Sequence, residues 1–256
     1  MEKRLDGKVV IVTGAERGLG QAYSVRIARE GARVVAAGIL DMSETMNKIK
    51  EVGGEAIPVH MDVVDFETVE AMADATVKAY GSIDGLVNNA AIYGGLKFTP
   101  FEHLDEKEWD KVMAVNVKGM WHCVKAVVPQ MRKQGKGKIV NISSSTIWVG
   151  QPFLLSYVAS KGAVFAMTRC MAKELTGTGI NVNSIMPGYT MTQASKDLET
   201  AHVPFEAVRK QVIDMQIIKR NEESEDLEGA VVFLLSDDAD FITGQALTVD
   251  GGLGLH

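Results

Sequence analysis

The sequence predicts a single α/β domain built on a doubly wound parallel sheet of seven strands, with helices on both faces. Short runs of β-branched and aliphatic residues alternate with longer stretches whose apolar residues are three and four positions apart. Nearly continuous apolar strands are typical of sheets covered on both faces, and strand–helix alternation favours parallel strands. The length of 256 residues suits one Rossmann-type domain, residues 1–256, since α/β domains often reach about 250 residues.

Seven runs are predicted to form the strands: Lys8–Thr13, Arg33–Ala37, Glu55–Met61, Gly85–Asn88, Gly137–Ile142, Ile180–Ile185 and Ala246–Val249. The clearest amphipathic stretches are predicted to form helices: Gly20–Glu30, Glu67–Tyr80, Glu106–Met131 and Tyr157–Leu175. Sheets of this kind bind ligands beyond the carboxyl ends of their strands. The residues that follow each strand are therefore the candidates for chemistry.

Composition excludes several classes of protein. The net charge of −6 argues against a general nucleic-acid or anionic-membrane binder. No apolar run approaches the roughly 18 residues of a membrane helix, and the first residues lack the apolar core of a signal peptide, so we expect a cytoplasmic protein. Cys123 and Cys170 fall in predicted helices and are expected to be buried thiols in a reducing compartment. The histidines show no ligand spacing, so no metal site is expected.

The turn after the first strand predicts a phosphate site. It reads Thr-Gly-Ala-Glu-Arg-Gly-Leu-Gly over residues 13–20, and Gly14, Gly18 and Gly20, with Leu19 between the last two, would let the backbone approach a ligand closely. The helix that follows offers free N–H groups to a pyrophosphate. The spacing G-x-x-x-G-x-G differs from the better-known G-x-G-x-x-G, so a purely structural turn remains an alternative.

The end of the second strand bears on the choice between NAD and NADP. An acidic side chain there would hydrogen-bond the adenosine ribose and repel a 2′-phosphate. This sequence has Gly38 at that position, and Arg17 could reach the region of a 2′-phosphate. The pattern favours NADP. NAD remains open because Asp41 could serve the ribose, and Arg17 could equally be a solvated loop residue.

Tyr157 and Lys161 are the candidates for acid/base chemistry. At i and i+4 they share one face of a predicted helix. Lowering a tyrosine pKa from about 10 to near 7 takes roughly 4 kcal/mol. A positive charge about 4 Å away supplies a comparable energy at an effective dielectric constant near 20. A lysine one turn away is therefore sufficient to activate a tyrosine.

Further polar or turn-forming residues follow other strands or interrupt an apolar helix face, and the topology brings them to the same edge of the sheet: Asp62, Asn88, Asn89, Asn116, Ser144, Pro187, Gly188 and Thr192. These motifs, and their order along the chain, resemble those of the branch of the short-chain dehydrogenase/reductase family whose members have about 250 residues. The resemblance runs from the first strand to the closing segments Ile242–Gln245 and Val249–Gly252. It implies hydride transfer between a nicotinamide cofactor, NADP or NAD, and a secondary alcohol or ketone.

The resemblance also implies roles for individual residues. Tyr157 would be the general acid/base, and Lys161 would lower its pKa and hold the nicotinamide ribose. Ser144 would hydrogen-bond the substrate oxygen, and Asn116 would position a water connecting Lys161 to solvent. The cofactor residues would be Gly14, Gly18 and Gly20 at the pyrophosphate, Asp62 and Val63 at the adenine, Asn89 near the adenosine ribose, and Thr192 at the carboxamide beyond Pro187 and Gly188. Gly38 and Ala91 depart from the family pattern, and Gly38 puts NAD preference in doubt.

The substrate loops are expected to form an apolar, aromatic pocket for a compact ketone or alcohol. The predicted pocket residues are Tyr93, Thr146, Trp148, Phe153 and Tyr189, under a lid over residues 190–216. Local features at 92–93, 145–148, 192–195 and His256 resemble dehydrogenases of 1-phenylethanol-type alcohols. These aromatic residues could instead only pack the loops.

Two other functions remain open, a 3-oxoacyl thioester reductase and a non-catalytic dinucleotide sensor. The acidic net charge weighs against the first, and the intact Tyr157–Lys161 pair weighs against the second. The resemblance further implies a homotetramer with dimer faces on the helices 106–131 and 156–175 and a second interface in the C-terminal strand region.

Overall fold

The computed structural model describes residues 3–198 and 204–255, and these contain a sheet of seven strands in which every pairing is parallel. The strands are β1 (Val9–Thr13), β2 (Arg33–Gly38), β3 (Glu55–His60), β4 (Gly85–Asn88), β5 (Gly137–Ile142), β6 (Ile180–Pro187) and β7 (Ala246–Val249). Their order across the sheet is β3-β2-β1-β4-β5-β6-β7. The predicted doubly wound fold is confirmed, and each predicted strand ends within two residues of the observed one.

The α-helices of the described residues are α1 (Gly18–Arg29), α2 (Ser43–Glu51), α3 (Phe66–Tyr80), α4 (Glu106–Met113), α5 (Met120–Gln134), α6 (Thr146–Val149), α7 (Leu155–Glu174), α8 (Gln193–Lys196), α9 (Phe205–Met215) and α10 (Ser224–Leu235). Short 3₁₀ turns lie at Phe101–His103 and Asp237–Ala239. The sequence patterns did not single out α2 and α10. α2 is mostly polar and buries only Thr45 and Ile49, while α10 is apolar on nearly every side of its last two turns.

Each face of the sheet has its own core. Val10 and Val12 of β1 pack with α1, α2 and α10, while Ile11 between them packs with α3, α5 and α7. Alternate residues of a strand point to opposite faces, so a strand covered on both sides must be apolar throughout. This explains why β1 is buried along its whole length.

The predicted helix over 106–131 is confirmed as one unbroken helical run, but the type of helix changes inside it. A π-helical segment, Ala114–Gly119, separates α4 from α5. At Gly119 a Cβ atom would lie 2.6 Å from the Cγ2 atom of Val63, so the chain passes close to the loop after β3. Such π segments are frequent at functional sites, and this one carries Asn116.

The prediction for the two thiols is half wrong. Cys123 is buried under the sheet, whereas Cys170 is exposed on the outer side of α7, with its Sγ atom 3.4 Å from Glu174 Oε1. Amphipathic spacing placed both residues in helices but did not distinguish the inner from the outer face. Within 3–198 and 204–255, no helix is both long and apolar enough to cross a membrane, and no cluster of ligating side chains could hold a metal ion.

The strand order reverses between β1 and β4, and this reversal positions the candidate site. The connections that follow β1 and β4 run to opposite faces of the sheet, so a crevice forms beyond the carboxyl ends of these two strands. The ends of β1, β2, β4, β5 and β6 all face this crevice. Of the features predicted around it, residues 199–203 of the lid and His256 lie outside the described residues.

Candidate active site

A cavity of about 690 Å³ lies at the carboxyl edge of the sheet and runs from the turn after β1 to the start of α7. Most predicted site residues line it: Gly14, Arg17, Gly18, Leu19, Gly38, Asp62, Val63, Asn89, Tyr93, Ser144, Thr146, Tyr157, Lys161, Pro187, Gly188, Tyr189 and Thr192. The structure therefore gathers residues from six loops around one space.

Two predicted pocket residues lie elsewhere, which corrects the expectation. Trp148 turns its ring edge-on to Phe165 of α7, with the ring centroids 5.4 Å apart. Phe153 is half-exposed on the surface, in a left-handed backbone conformation with φ of 66°. Both residues lie in the segment after β5 that the sequence indicated, Trp148 in the short helix α6 and Phe153 in the loop after it, but the local backbone decides which way each side chain points.

Tyr157 and Lys161 lie one turn apart near the start of α7, and both are buried. The Lys161 ammonium is 5.6 Å from the Tyr157 ring centroid and donates a hydrogen bond of 2.7 Å to the Ile142 carbonyl. Burial raises the pKa of Tyr157 to about 12, which a hydrogen bond with Ser144 partly opposes. Burial also lowers the pKa of Lys161 to about 8. Burial and the Ser144 hydrogen bond are the causes that set the pKa of Tyr157 here, and the expected lowering by Lys161 stays a prediction.

Ser144 follows β5 and faces the tyrosine. Its oxygen accepts hydrogen bonds from the Thr146 N–H at 3.2 Å and the Thr146 hydroxyl at 3.0 Å. Because these bonds occupy the acceptor side of the oxygen, the Ser144 hydroxyl proton is directed away from Thr146. Ser144 is therefore arranged to donate a hydrogen bond into the cavity.

Asn116 lies behind the cavity wall and joins two elements of the site. Its side-chain oxygen accepts from the Ile92 N–H at 2.7 Å, and its amide donates to Ile92 O at 3.1 Å and to Ser160 Oγ at 3.0 Å. Ser160 in turn donates to the Tyr157 carbonyl at 2.7 Å. Asn116 thereby ties the loop after β4 to the helix that carries the tyrosine, and its water-positioning role stays a prediction.

The turn after β1 is built by close backbone packing. The Asn89 amide donates to Thr13 O and Gly14 O at 3.0 and 3.1 Å, which fastens the end of β4 to the turn. Gly14 and Gly18 have left-handed φ values of 64° and 57°, which glycine adopts at little cost. At Gly20, a Cβ atom would overlap the Gly14 carbonyl.

The turn fits a dinucleotide pyrophosphate. The first residues of α1, Gly18 and Leu19, line the cavity, and no side-chain cap from Arg17 occupies the free N–H groups of this turn. The N–H groups and the cavity that continues to Tyr157 are what a nicotinamide dinucleotide requires. Asp62 and Val63 border the same space, where Asp62 accepts from the Val64 N–H at 3.0 Å and Val63 O receives His122 Nδ1 at 2.9 Å.

Sequence reasoning missed three charged residues of the site. Glu16 and Lys111 line the cavity, and Glu222 supports the loop after β6 from below. Glu16 lies inside the glycine-rich motif, but its direction became visible only in three dimensions. Nothing in the neighbouring sequence marks Lys111 or Glu222 as a site residue, since each resembles an ordinary charged residue of a helix or loop.

Glu222 holds the loop that leads from β6 to Thr192. It is buried, and accepts from the Gly188 N–H at 3.1 Å and from the Thr190 hydroxyl at 2.5 Å. Burial raises the pKa of Glu222 to about 7 although both hydrogen bonds lower it, and the nearby carboxylates of Asp250 and Asp226 add to the rise. The structure thus keeps a carboxyl group that is partly protonated at neutral pH beneath the site.

We expect Glu222 to make the protein less stable as pH rises through 7. An ordinary glutamate pKa is near 4.5, so the folded state holds this proton more tightly than the unfolded chain. The resulting stability is fully present below about pH 4.5 and is lost as pH rises through 7, a total of about 3 kcal/mol. Urea unfolding between pH 5 and 9 should show that Glu222→Gln lacks this component. The glutamine oxygen can accept from the Gly188 N–H and its amide can donate to the Thr190 hydroxyl oxygen, so both partners stay hydrogen-bonded. Glu225→Gln, at an exposed position of α10, is the control and should follow the parent protein; equal slopes for all three would contradict the prediction.

Comparisons with known proteins agree with this geometry. The family model described as enoyl-(acyl carrier protein) reductase matches residues 14–254. The chain is 35% identical over 252 residues to a 3-oxoacyl-(acyl-carrier-protein) reductase of Thermotoga maritima, covering 98% of this chain and 99% of that protein. It is 44% identical over 249 residues to an uncharacterized oxidoreductase of Mycobacterium tuberculosis, covering 96% of this chain and 97% of that protein.

Solved structures show the same fold. The structure of levodione reductase superimposes with a TM-score of 0.91 at 33% identity, covering 97% of this chain and 98% of that one. The structure of NAD⁺-bound xylitol dehydrogenase does so with a TM-score of 0.90 at 32% identity, covering 98% and 100%.

Proposed function

The chain belongs to the short-chain dehydrogenase/reductase family, and from this premise we propose that it interconverts a secondary alcohol and a ketone with NAD(P). Enzymes of this family are oxidoreductases that use NAD(P) and act on small molecules. The observation that carries the proposal is one cavity with a phosphate-binding turn at one end and Tyr157, Lys161 and Ser144 at the other.

The chain's own residues account for the proton chemistry. When bound, the nicotinamide supplies or accepts the hydride. The Tyr157 hydroxyl donates its proton to the ketone oxygen during reduction, or takes the alcohol proton during oxidation. Ser144 donates a hydrogen bond to the same oxygen. The buried charge of Lys161 stabilises the tyrosinate that forms when Tyr157 loses its proton.

The wall around Tyr157 supports a compact apolar or aromatic substrate. The Tyr93 ring lies 4.8 Å from the Tyr157 ring, and Tyr189 holds its hydroxyl 3.3 Å from Ser195 O. The remaining apolar side chains of this wall are Ile92, Phe98, Val149, Leu154, Leu198, Val208, Val212, Met215 and Leu253. Three of them belong to α9, which supports a lid over 190–216. A pocket of this lining favours apolar ketones through buried contact area.

A 3-oxoacyl thioester reductase is the second candidate. It is supported by the name of the Thermotoga maritima relative, a 3-oxoacyl-(acyl-carrier-protein) reductase, and by Lys111, an exposed cation at the cavity. Of the described wall residues, only Arg17, Lys111 and the buried Lys161 are basic. This is few for docking an acidic carrier protein, so the secondary-alcohol reading is preferred. The intact Tyr157–Lys161 pair disfavours a non-catalytic sensor.

The experiment that tests the proposal compares two substrates in the same assay. Oxidation of NADH or NADPH is followed with acetophenone and, separately, with an acetoacetyl thioester. We expect kcat/KM for acetophenone to exceed that for the thioester at least tenfold, because the wall is apolar and aromatic. The reverse ratio would favour the thioester reductase, and dinucleotide binding without turnover on any ketone would favour the sensor.

A homotetramer remains part of the proposal. Large apolar side chains are exposed at the two places expected to form interfaces, with Trp121 and Leu155 on the helices and Phe241 and Leu247 near β7. Exposed apolar side chains grouped in this way are typical of protein interfaces.

A further inference from the structure

Gly38 ends β2, and its missing side chain leaves room for a carboxylate from another loop. A Cβ atom at Gly38 would overlap Oε1 and Cδ of Glu16 and lie 2.7 Å from Oε2. The Glu16 carboxylate therefore fills the space into which any side chain at residue 38 would begin. An acid at 38 and this placement of Glu16 exclude each other, so Gly38 is the residue that admits Glu16.

The Glu16 carboxylate is fixed in this position by the backbone after β2. Oε1 accepts hydrogen bonds from the Ile39 N–H at 2.7 Å and the Leu40 N–H at 3.1 Å. Hydrogen bonds to an ionised carboxylate are among the stronger ones in proteins. Both bonds are accepted by Oε1, so Oε2 can accept from a ligand. The side chain is half-buried at the cavity wall, beside the exposed apolar side chains of Ile39 and Leu40.

This arrangement opposes a 2′-phosphate on the adenosine ribose. The phosphate would lie against a carboxylate, and like charges at such distances repel. It would also compete with Glu16 for the Ile39 and Leu40 N–H groups, the donors nearest to the end of β2. Ribose hydroxyls, in contrast, can donate to the carboxylate.

We propose that Glu16, which extends from the glycine-rich turn into the space left by Gly38, accepts hydrogen bonds from the adenosine ribose and makes this protein select NAD over NADP. The proposal rests on the dinucleotide binding of the proposed function and reverses the expectation drawn from Gly38 alone. Arg17, one basis for expecting NADP, is exposed at the start of α1, whereas the carboxylate of its neighbour Glu16 is hydrogen-bonded to the backbone directly after β2.

Dissociation constants for NADH and NADPH, measured separately by nicotinamide fluorescence without substrate, test this assignment. We expect NADH to bind the parent protein at least tenfold more tightly than NADPH. Glu16→Gln keeps an acceptor for the two N–H groups but removes the charge, and should lower this preference at least fivefold. Most of the change should appear as tighter NADPH binding.

Two further variants show whether a change in cofactor preference comes from the position of the carboxylate or from a general disturbance of the turn after β1. The double variant Glu16→Ala, Gly38→Asp moves the carboxylate from the turn to the strand end and should restore the NADH preference, because Gly38 has no left-handed φ that would exclude aspartate. Asp41→Asn removes the same charge three residues beyond Gly38, where the Asp41 carboxylate accepts from the Ser43 hydroxyl at 2.8 Å, and should leave the preference unchanged.

The outcomes distinguish this inference from the proposed function. If both dinucleotides bind and NADPH binds more tightly, or if Glu16→Gln leaves the ratio of the two constants unchanged, Glu16 does not select the cofactor. If neither dinucleotide binds the folded parent protein, the proposed oxidoreductase function itself fails.

Discussion

Tyr157→Phe is expected to reduce turnover at least a hundredfold, which corresponds to about 2.7 kcal/mol in activation free energy. The substitution removes the hydroxyl that exchanges a proton with the substrate oxygen and leaves the ring packed beside Tyr93. Because the hydroxyl is not needed to hold the turn after β1, the dissociation constant for the dinucleotide should stay within about twofold. Steady-state kinetics and nicotinamide fluorescence measure the two quantities.

Tyr93→Phe is the matched control for this experiment. It deletes the same group from a ring whose centroid is 4.8 Å away, so it reports on loss of a hydroxyl in the pocket without loss of the proton donor. We expect turnover to fall by less than tenfold. Equal losses in the two variants, or unchanged turnover in Tyr157→Phe, would remove Tyr157 from the role of general acid/base.

Gly20→Ala is expected to cause a larger loss of dinucleotide affinity than the Tyr157 and Tyr93 variants, together with a lower free energy of unfolding. The new methyl group would overlap the Gly14 carbonyl and lie 2.6 Å from the Asn89 amide nitrogen. Both contacts belong to the packing between the turn and the end of β4. The first is with backbone, and the second is with a side-chain amide that two hydrogen bonds hold in place. Overpacking of this kind costs about 1–3 kcal/mol, occasionally more. Displacement of the turn should weaken dinucleotide binding at least tenfold.

Gly229→Ala provides the control for Gly20→Ala. Gly229 lies at an exposed position of α10 with no heavy atom within 4 Å of an added Cβ. Alanine is a better helix former than glycine by about 1 kcal/mol, so this variant should unfold at the same or a higher urea concentration and bind the dinucleotide unchanged. Parent-like affinity and stability in Gly20→Ala would contradict the close packing of the turn.

The sequence alone predicted the fold because its signals are local or periodic. β1 is apolar at each of its first four positions because both faces of the sheet are covered, and this reads directly from the chain. The same holds for the glycine-rich turn and for the spacing of Tyr157 and Lys161, since one helical turn sets which side chains are neighbours. Once the strands are ordered, the placement of polar residues after them follows from the parallel topology.

Other properties were decided only by the tertiary structure. Trp148 and Phe153 occupy the expected loops but turn away from the cavity, and the face on which Cys170 lies was equally undetermined by spacing. Gly119, at the end of the π segment that carries Asn116, approaches Val63 closely, which is a contact between distant parts of the chain.

Glu16 and Gly38 show the difference most clearly. In the sequence, Gly38 marks the absence of an acid, and that absence favours NADP. In the folded chain, parallel pairing of β1 with β2 brings the loops after both strands together, and the carboxylate of Glu16 enters the space that Gly38 leaves. A sequence motif gives the residue at each position of the chain. The side chains that contact a ligand depend on which segments the fold brings together at the site.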